Sequence, residues 1–564
     1  MLDHLIFLIY IIIFTFSTVG YGFLFSKLIN ENYFKLNIGY QGLFGFFSLI
    51  ILSGLSSFLF KHGYLHNFLI HLVGLIVFFY YINNVSKKDK KLFIYIFFLL
   101  LIFVYIYKNH DDFPYYHLSY ALNLSENKFI IGIGNFGHGF RTFSSLFYFH
   151  SLLYLPYIKF YLFHIGPFLI LLFFNFIVIK KILNYILEKK KITFILFFSI
   201  FSFTFVNVAF YRLSEHGTDR SPQILVFLIF IILFEILLSK KNHNKKILYF
   251  ESLFILLMLT SSLKALYYIY LIFIPIIFVK TFLESKFYKS LNIKLLIPLF
   301  LSLILNLTIN FLNTGCFLYP EQKTCLKTEW GIPFYEVKEM NTHYEWWSKS
   351  GGGPGYKHQM NKEEYIINFN WFENWKERHF FNKVSDTLFG VIFICILYFV
   401  IFKLLSIERT SEKKNNLGLV YFIVSLIILE WFLKHPAMRY GGYVLIAIPF
   451  FIYFSNKLSC YKFHFQKTKK IIYILILFVF IIFEFRNIIR LNKEIKFNNY
   501  NLLHSPFFKV IQVQSEILFE NKNFKIYKTK KNNMCWSSKT PCSYRGELKA
   551  KKLLSLQMVY RDQE

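Results

Sequence analysis

The stretch Asn109-His110-Asp111-Asp112-Phe113-Pro114-Tyr115-Tyr116-His117 places two adjacent carboxylates directly after a hydrophobic run. Carboxylates in that position are costly unless they meet water at a membrane surface and act there. A carboxylate so placed can take the proton of an acceptor hydroxyl, a step typically worth about 10²- to 10⁴-fold in rate. Asp112 is the first candidate base and Asp111 the second. A plainer reading competes, since Asp112 would also cap a short helix with Pro114 in its first turn. Capping leaves the second acid unexplained.

A phosphate leaving group needs fixed cations, and an arginine fork matches phosphate oxygens two at a time. Arg141, Arg220 and Arg439 are the arginines considered for that role, although an arginine at a helix end can also serve only by reaching lipid headgroups. His117 could orient a carboxylate. In the loop Glu215-His216-Gly217-Thr218-Asp219-Arg220, the acids could bind a metal or sugar hydroxyls, or pair with Arg212 and Arg220.

The elements that must hold these groups are membrane helices. Of 564 residues 55% are hydrophobic, including 75 Phe and 40 Tyr, more apolar surface than a soluble domain can cover. The expected fold is an all-α polytopic membrane protein. Apolar runs of spanning length number about fourteen: near 4–25, 42–60, 66–83, 91–107, 160–179, 192–210, 223–239, 247–263, 265–280, 295–312, 387–404, 417–433, 440–455 and 470–485. The first lacks a basic lead-in and a small-residue cleavage site, so it reads as a retained span. This divides the chain into N-terminal spans (1–90), a core (91–312) with an acidic loop at 108–150, a long loop (313–386), C-terminal spans (387–485) and a tail (486–564).

The formal net charge of +31 would suggest nucleic acid in a soluble protein. Here the lysines cluster in short loops between spans: 87–91, 180–191, 240–246, 280–294, 403–414 and 457–470. With fourteen spans all of these fall on one side, which the positive-inside rule makes cytoplasmic, and no nucleic-acid partner is expected. Lys88, Lys190, Lys241 and Lys467 should then face inward, and Asp112, Gly352 and the tail outward. Cysteine placement agrees. Cys316 and Cys325 share the long loop and Cys535 and Cys542 the tail, so two disulfides are expected in an oxidising compartment. The tail, with Phe507-Phe508, Val510 and Val513, could form a small α/β cap.

Gly132-Ile133-Gly134-Asn135-Phe136-Gly137 matches G-x-G-x-x-G but has no βαβ context, so a dinucleotide site is excluded. Walker, zincin and nucleophile-elbow motifs are missing as well. The long loop adds Tyr319-Pro320, Trp346-Trp347 and Gly351-Gly352-Gly353-Pro354-Gly355, which suit an aromatic lid on a glycine hinge, or equally an interfacial aromatic belt.

An acidic loop after a span, further spans and a long aromatic loop resemble the GT-C class of integral membrane glycosyltransferases, which use polyprenyl-phosphate-linked sugars. Asp112 to His117, Gly132-Ile133-Gly134-Asn135 and Arg141 to Ser144-Ser145 resemble, more closely, a family of bacterial multi-pass proteins with the pattern D-x-x-x-Y-H, G-L-G-N-x-x-x-R-x-x-x-N-S-S. His435-Pro436-Ala437-Met438-Arg439-Tyr440-Gly441 is similar to its A-P-x-x-R-F-G segment, and Tyr319-Pro320 to its Y-P. The chain departs from the pattern at Gly139, where an Arg is expected, and at Phe143, where an Asn is. It also carries four spans before the acidic loop where the GT-C class usually has one.

The resemblance implies a bacterial inner-membrane enzyme that transfers a sugar, with inversion, from a polyprenyl-phosphate donor to a cell-envelope glycan, lipid or protein acceptor on the outer face. It gives Asp112 the base role and Arg439 a lipid-phosphate role, with Arg141, Arg220, Asn135, Tyr116 and His117 as substrate-binding candidates. The resemblance leaves the cofactor open, since GT-C-like enzymes include metal-using and metal-free members; a divalent metal would have Asp111, Asp112 and Asp219 as its candidate ligands. The rivals are a lipid-linked glycan polymerase or ligase and a transporter or flippase, which should show repeated halves and broken or charged helices at mid-membrane.

Overall fold

A computed structural model of the chain describes all residues except 1, 108–109, 188–192, 213–216, 239–242, 276, 278–291, 353–359, 410–416, 522–523, 531–533 and 563–564. Expectations for Asn109, Lys190, Glu215, His216, Lys241 and Gly353 to Gly355 fall outside the described residues. The chain is a polytopic helical protein. Among the described residues nine helices are long and apolar enough to cross a membrane: Leu2–Ile29, Ile38–Leu59, Tyr64–Asn84, Ile165–Leu187, Thr218–Leu238, Asn244–Leu263, Ile293–Thr314, Phe372–Leu404 and Phe465–Asn498. Phe194–Ala209 and Gly442–Leu458 are apolar but shorter. Gly418–Lys434 is a 17-residue helix.

Three runs differ from the sequence expectation. The run at 91–107 is an α-helix only over Lys87–Leu100 and tightens into a 3₁₀ turn at Leu101–Val104. The run at 160–179 becomes regular at Ile165. The run beginning at 265 opens as a 3₁₀ helix, Ala265–Ile272. The stretch 313–386 is not an open loop either, since it holds the helices Phe334–Lys349, Lys362–Ile366 and Phe372–Trp375.

The two ends of the helices carry different chemistry. Asp219 and Glu235 belong to one helix, Gly217–Leu238, about 24 Å apart at ~1.5 Å per residue. Glu235 pairs with Lys181, and next to it in sequence Lys180 pairs with Asp89 in the lysine-rich turn. Asp219 is at the opposite end, with Asp112 and Arg439. The lysine-rich stretches at 87–91 and 180–181 and the Asp112 loop thus sit at opposite helix ends.

The tail corrects the expected boundary and fold. The last helix runs on to Asn498, past 485, because Arg490 and Glu494 pair one turn apart, both buried, and tie the helix to residues 105–107: Arg490 donates to the Tyr105 carbonyl at 2.8 Å and Glu494 accepts from the Tyr107 N–H at 3.0 Å. Beyond it the tail is β, not α/β. Ser515–Asn521 pairs antiparallel with Phe524–Thr529, which pairs parallel with Cys542–Ser543. Lys549–Leu553 pairs with Leu556–Tyr560, and this strand adds Ile130–Ile131 in parallel. Disulfides join Cys316 to Cys325 and Cys535 to Cys542.

Gly132 makes the last pairing possible. Its φ is +77°, and a Cβ there would stand 2.0 Å from the Val559 carbonyl oxygen. Gly132→Ala should therefore cost about 1–3 kcal/mol of local stability and loosen the docked tail. Limited proteolysis reads this: cleavage after residue 500 should quicken in the variant.

Candidate active site

Asp112 stands where the 3₁₀ turn Leu101–Val104 has ended and a single π-helical turn, Phe113–His117, leads into the helix Leu118–Glu126. Such π turns recur at functional sites. The Asp112 side chain makes no capping bond, so the plain capping role is not the one it plays. Its carboxylate lies 3.2 Å from the Arg439 guanidinium and 3.3 Å from His110 Nδ1. Burial works to raise the Asp112 carboxyl, but the His110 hydrogen bond and the charges of Arg439, His110 and His117 outweigh it and hold it well below the usual carboxylate range.

Arg439 sits in the 3₁₀ turn Met438–Tyr440 between two helices. That turn is clamped from three directions. Trp375 and Trp431 donate indole N–H groups to the Pro436 and Ala437 carbonyls at 2.7 and 3.1 Å. His379 Nε2 accepts the Met438 N–H at 3.2 Å, and Gln223 donates to the Met438 and Arg439 carbonyls at 3.4 Å. Gly441 closes the turn at φ +92°, a conformation that side chains other than glycine rarely adopt.

So held, the guanidinium reaches Asp112 on one side and Asp219 at 2.6 Å on the other, and its central carbon Cζ lies 5.1 Å from the Trp347 ring centroid. Asp219, in the first turn of its helix, also accepts from Lys264, whose ammonium rests 4.7 Å from the Tyr440 ring centroid. Burial disfavours the Arg439 charge, yet Asp219, Tyr440 and Asp112 together hold its proton more firmly than usual. Beside this cluster is a cavity of about 180 Å³ lined by His110, Asp219, Arg220, Lys383, Arg439 and Tyr443. Three of these six carry a positive charge and one a negative, which suits a phosphate group.

The structure brings Asp112, Arg439, Arg220, His117 and Tyr116 to this end, and separates Asn135 and Arg141 from it by function. Arg141 is 1% exposed; it is paired with Glu336 and bonded to the Gly134 carbonyl and the Tyr319 hydroxyl. Glu336 also takes Arg545 at 3.1 Å and Arg561 at 2.7 Å. Asn135 donates to the Gly132 and Trp330 carbonyls and accepts from Arg561. Both residues join the loop, the Phe334–Lys349 helix and the tail through these bonds. The Gly139 departure has a packing cause, since a Cβ there would meet the Tyr116 ring at 2.3 Å.

His117 lies near-parallel to His110 at 6.4 Å, and burial pushes it down to about 4, so it is neutral at neutral pH. Its Nε2 has no hydrogen-bond partner among the described residues. Asp111 is exposed. Among the described residues no three His, Cys, Asp or Glu side chains group as a metal would require. Asp112 and Asp219 do converge, but around Arg439 and Lys264, so the residues present fit a carboxylate pair neutralised by side-chain cations and not a metal ligand set.

Three contributors to the site were given no role by the sequence reading: Lys264, His110 and Lys383. Lys264 carried a signal, being a lone charge between two apolar runs, where an ionisable group is by default functional.

The Glu336 cluster gives a test of its own. Three arginines share one carboxylate, and Arg141 has no solvent exposure in its side chain. Glu336→Gln should cost about 3–5 kcal/mol by stranding a buried charge. Burial opposes ionisation of Glu336, yet the Arg561 and Arg141 bonds pull it down to about 2. Because the folded value is depressed, this stability is full above the unfolded value and fades as pH falls from about 4.5 toward 2. Thermal unfolding followed from pH 7 to 3 should show that loss in the wild type and its absence in the variant.

Residues 4–446 match the family described as Domain of unknown function (DUF8201). The chain belongs to that family. No curated protein and no solved structure matches it. The DUF8201 stretch contains all of Asp112, Asp219, Lys264 and Arg439, whereas the β tail lies beyond it.

Proposed function

We propose that this DUF8201 protein is a membrane glycosyltransferase of the GT-C kind, with about fourteen spans, that moves a sugar from a polyprenyl-phosphate donor to an envelope acceptor on the outer face of a bacterial inner membrane. One observation carries the reading: Asp112 and Arg439, 327 residues apart, meet beside a small cationic cavity at the helix end away from the lysine clusters. A base and a phosphate clamp side by side are the two parts such a transfer needs.

In the transfer, the acceptor hydroxyl oxygen attacks the anomeric carbon and its proton passes to Asp112. The bond from that carbon to the lipid-phosphate oxygen breaks, and the phosphate leaves with the electron pair toward Arg439, Arg220 and Lys383. At rest Asp112 is a weak base, because Arg439 holds its charge. A donor phosphate competes for the guanidinium and frees the carboxylate, so base strength arrives together with substrate. Trp347 and the neighbouring Tyr344 border the place the sugar would occupy.

The test is reconstitution of the purified protein in lipid nanodiscs with labelled polyprenyl-phosphate sugars. Release of free polyprenyl phosphate coupled to acceptor glycosylation is the expected result. Donor left intact, with lipid-linked glycan crossing the bilayer of proteoliposomes instead, would establish the transporter reading. Lengthening of a lipid-linked glycan without dependence on Asp112 would establish the polymerase or ligase reading.

A further inference from the structure

At the other end of the helices is a cavity of about 350 Å³ that the transfer chemistry does not use. Its size falls within the range of ligand pockets. Asn37 and Ser86, the capping residues of the helices Ile38–Leu59 and Lys87–Leu100, both line it, so two helix N-termini converge there. Each contributes a partial positive charge and N–H groups, the setting in which phosphate binds. The caps consume some of these donors, at Gly39, Tyr40 and Asp89, but not those of Ile38, Lys87 or Lys88.

Lys35 and Lys180 also line the cavity. Tyr40 is 3% exposed, belongs to the same wall, and its hydroxyl has no hydrogen-bond partner among the described residues. A buried donor without a partner is costly, and a phosphate oxygen would satisfy it. Asp89 already pairs with Lys180 and does so from the first turn of a helix, where an anion is favoured. It occupies the place of an anion and competes with any that arrives.

We infer that this cavity binds a phosphate group, supplied either by the headgroup of an anionic phospholipid or by free phosphate, through Lys35, Lys180, Tyr40 and the two helix N-termini. The inference does not rest on the reading of Asp112. The adjoining lysines at 87, 88, 90 and 91 would draw anionic lipid to the same surface.

Native mass spectrometry of the full-length protein, released from nanodiscs of phosphatidylcholine doped with phosphatidylglycerol, reads retained lipid; isothermal titration with inorganic phosphate reads the soluble source. Lys35→Gln should weaken binding about tenfold, as loss of one charged hydrogen bond would. Asp89→Asn should tighten it by removing the competing carboxylate, which a merely structural role for Asp89 would not do. Lipid retained with this pattern identifies the headgroup, and inorganic phosphate bound with this pattern identifies the free ion. Binding of neither, or binding indifferent to both substitutions in proteins that unfold at the wild-type temperature, overturns the inference.

Discussion

Asp112→Asn is expected to lower sugar transfer by about 10²- to 10⁴-fold with folding intact. Asparagine keeps the shape and one carbonyl oxygen toward Arg439 but cannot take a proton. The side chain makes no capping bond, so helix stability does not confound the result. Its pair with Arg439 is 29% and 28% exposed, and its loss should cost no more than about 1 kcal/mol. Asp111→Asn is the paired control and should be mild, because Asp111 is exposed. A purified Asp112→Asn protein transferring at the wild-type rate would sink the mechanism and leave the ligase or transporter in its place.

Arg439→Lys should impair donor use by about 10- to 100-fold, the equivalent of losing one or two hydrogen bonds to a charged group. Lysine keeps the charge but has no planar fork with which to bridge Asp112 and Asp219 beside Trp347. Arg212→Lys is the comparison, since Arg212 lines a separate groove with Arg486 and Glu494. Initial rates against donor concentration separate the two, and equal, mild effects would return Arg439 to a lipid-anchoring role. Arg439→Met goes further, leaving Asp219 with Lys264 alone and Asp112 with no arginine. About 3 kcal/mol of destabilisation is expected, the low end for a broken buried pair because Arg439 is partly exposed.

The membrane helices were legible because apolar length is a local property of the chain. So was the pairing of chemistry at one end, since Asp112, Asp219 and Arg439 all fall at the ends of apolar runs on the same side of the lysine pattern. The bonds that Arg141 and Asn135 make within the fold were not legible for a physical reason: a polar residue spent on the fold and one offered to a ligand look alike until the partner is known. The partners here are Glu336, 195 residues from Arg141, and Arg561, 426 residues from Asn135. The β tail was illegible on similar grounds. In Phe524–Thr529 only Phe524, Ile526 and Thr529 are buried, among lysines, and the parallel partner of the last strand lies at Ile130–Ile131. The extension of the last helix to Asn498 was hidden by Lys493 and Lys496, which read as a loop until Glu494 is seen bound to Tyr107.

The parallel pairing of Leu556–Tyr560 with Ile130–Ile131 also sets an order of events during synthesis. The Asp112 turn leaves the ribosome early, yet its neighbours are made late: the Trp536 N–H donates to the Pro114 carbonyl, and the Tyr544 ring stacks on Tyr115 at 4.7 Å. Until those residues have been made, the acidic turn lacks the tail's contacts on that side, and contacts this distant in sequence are slow to form. A partly translated chain would therefore carry Asp112 without its setting. The tail is thus the last piece fitted beside the Asp112 turn, after the residues it packs against have been made.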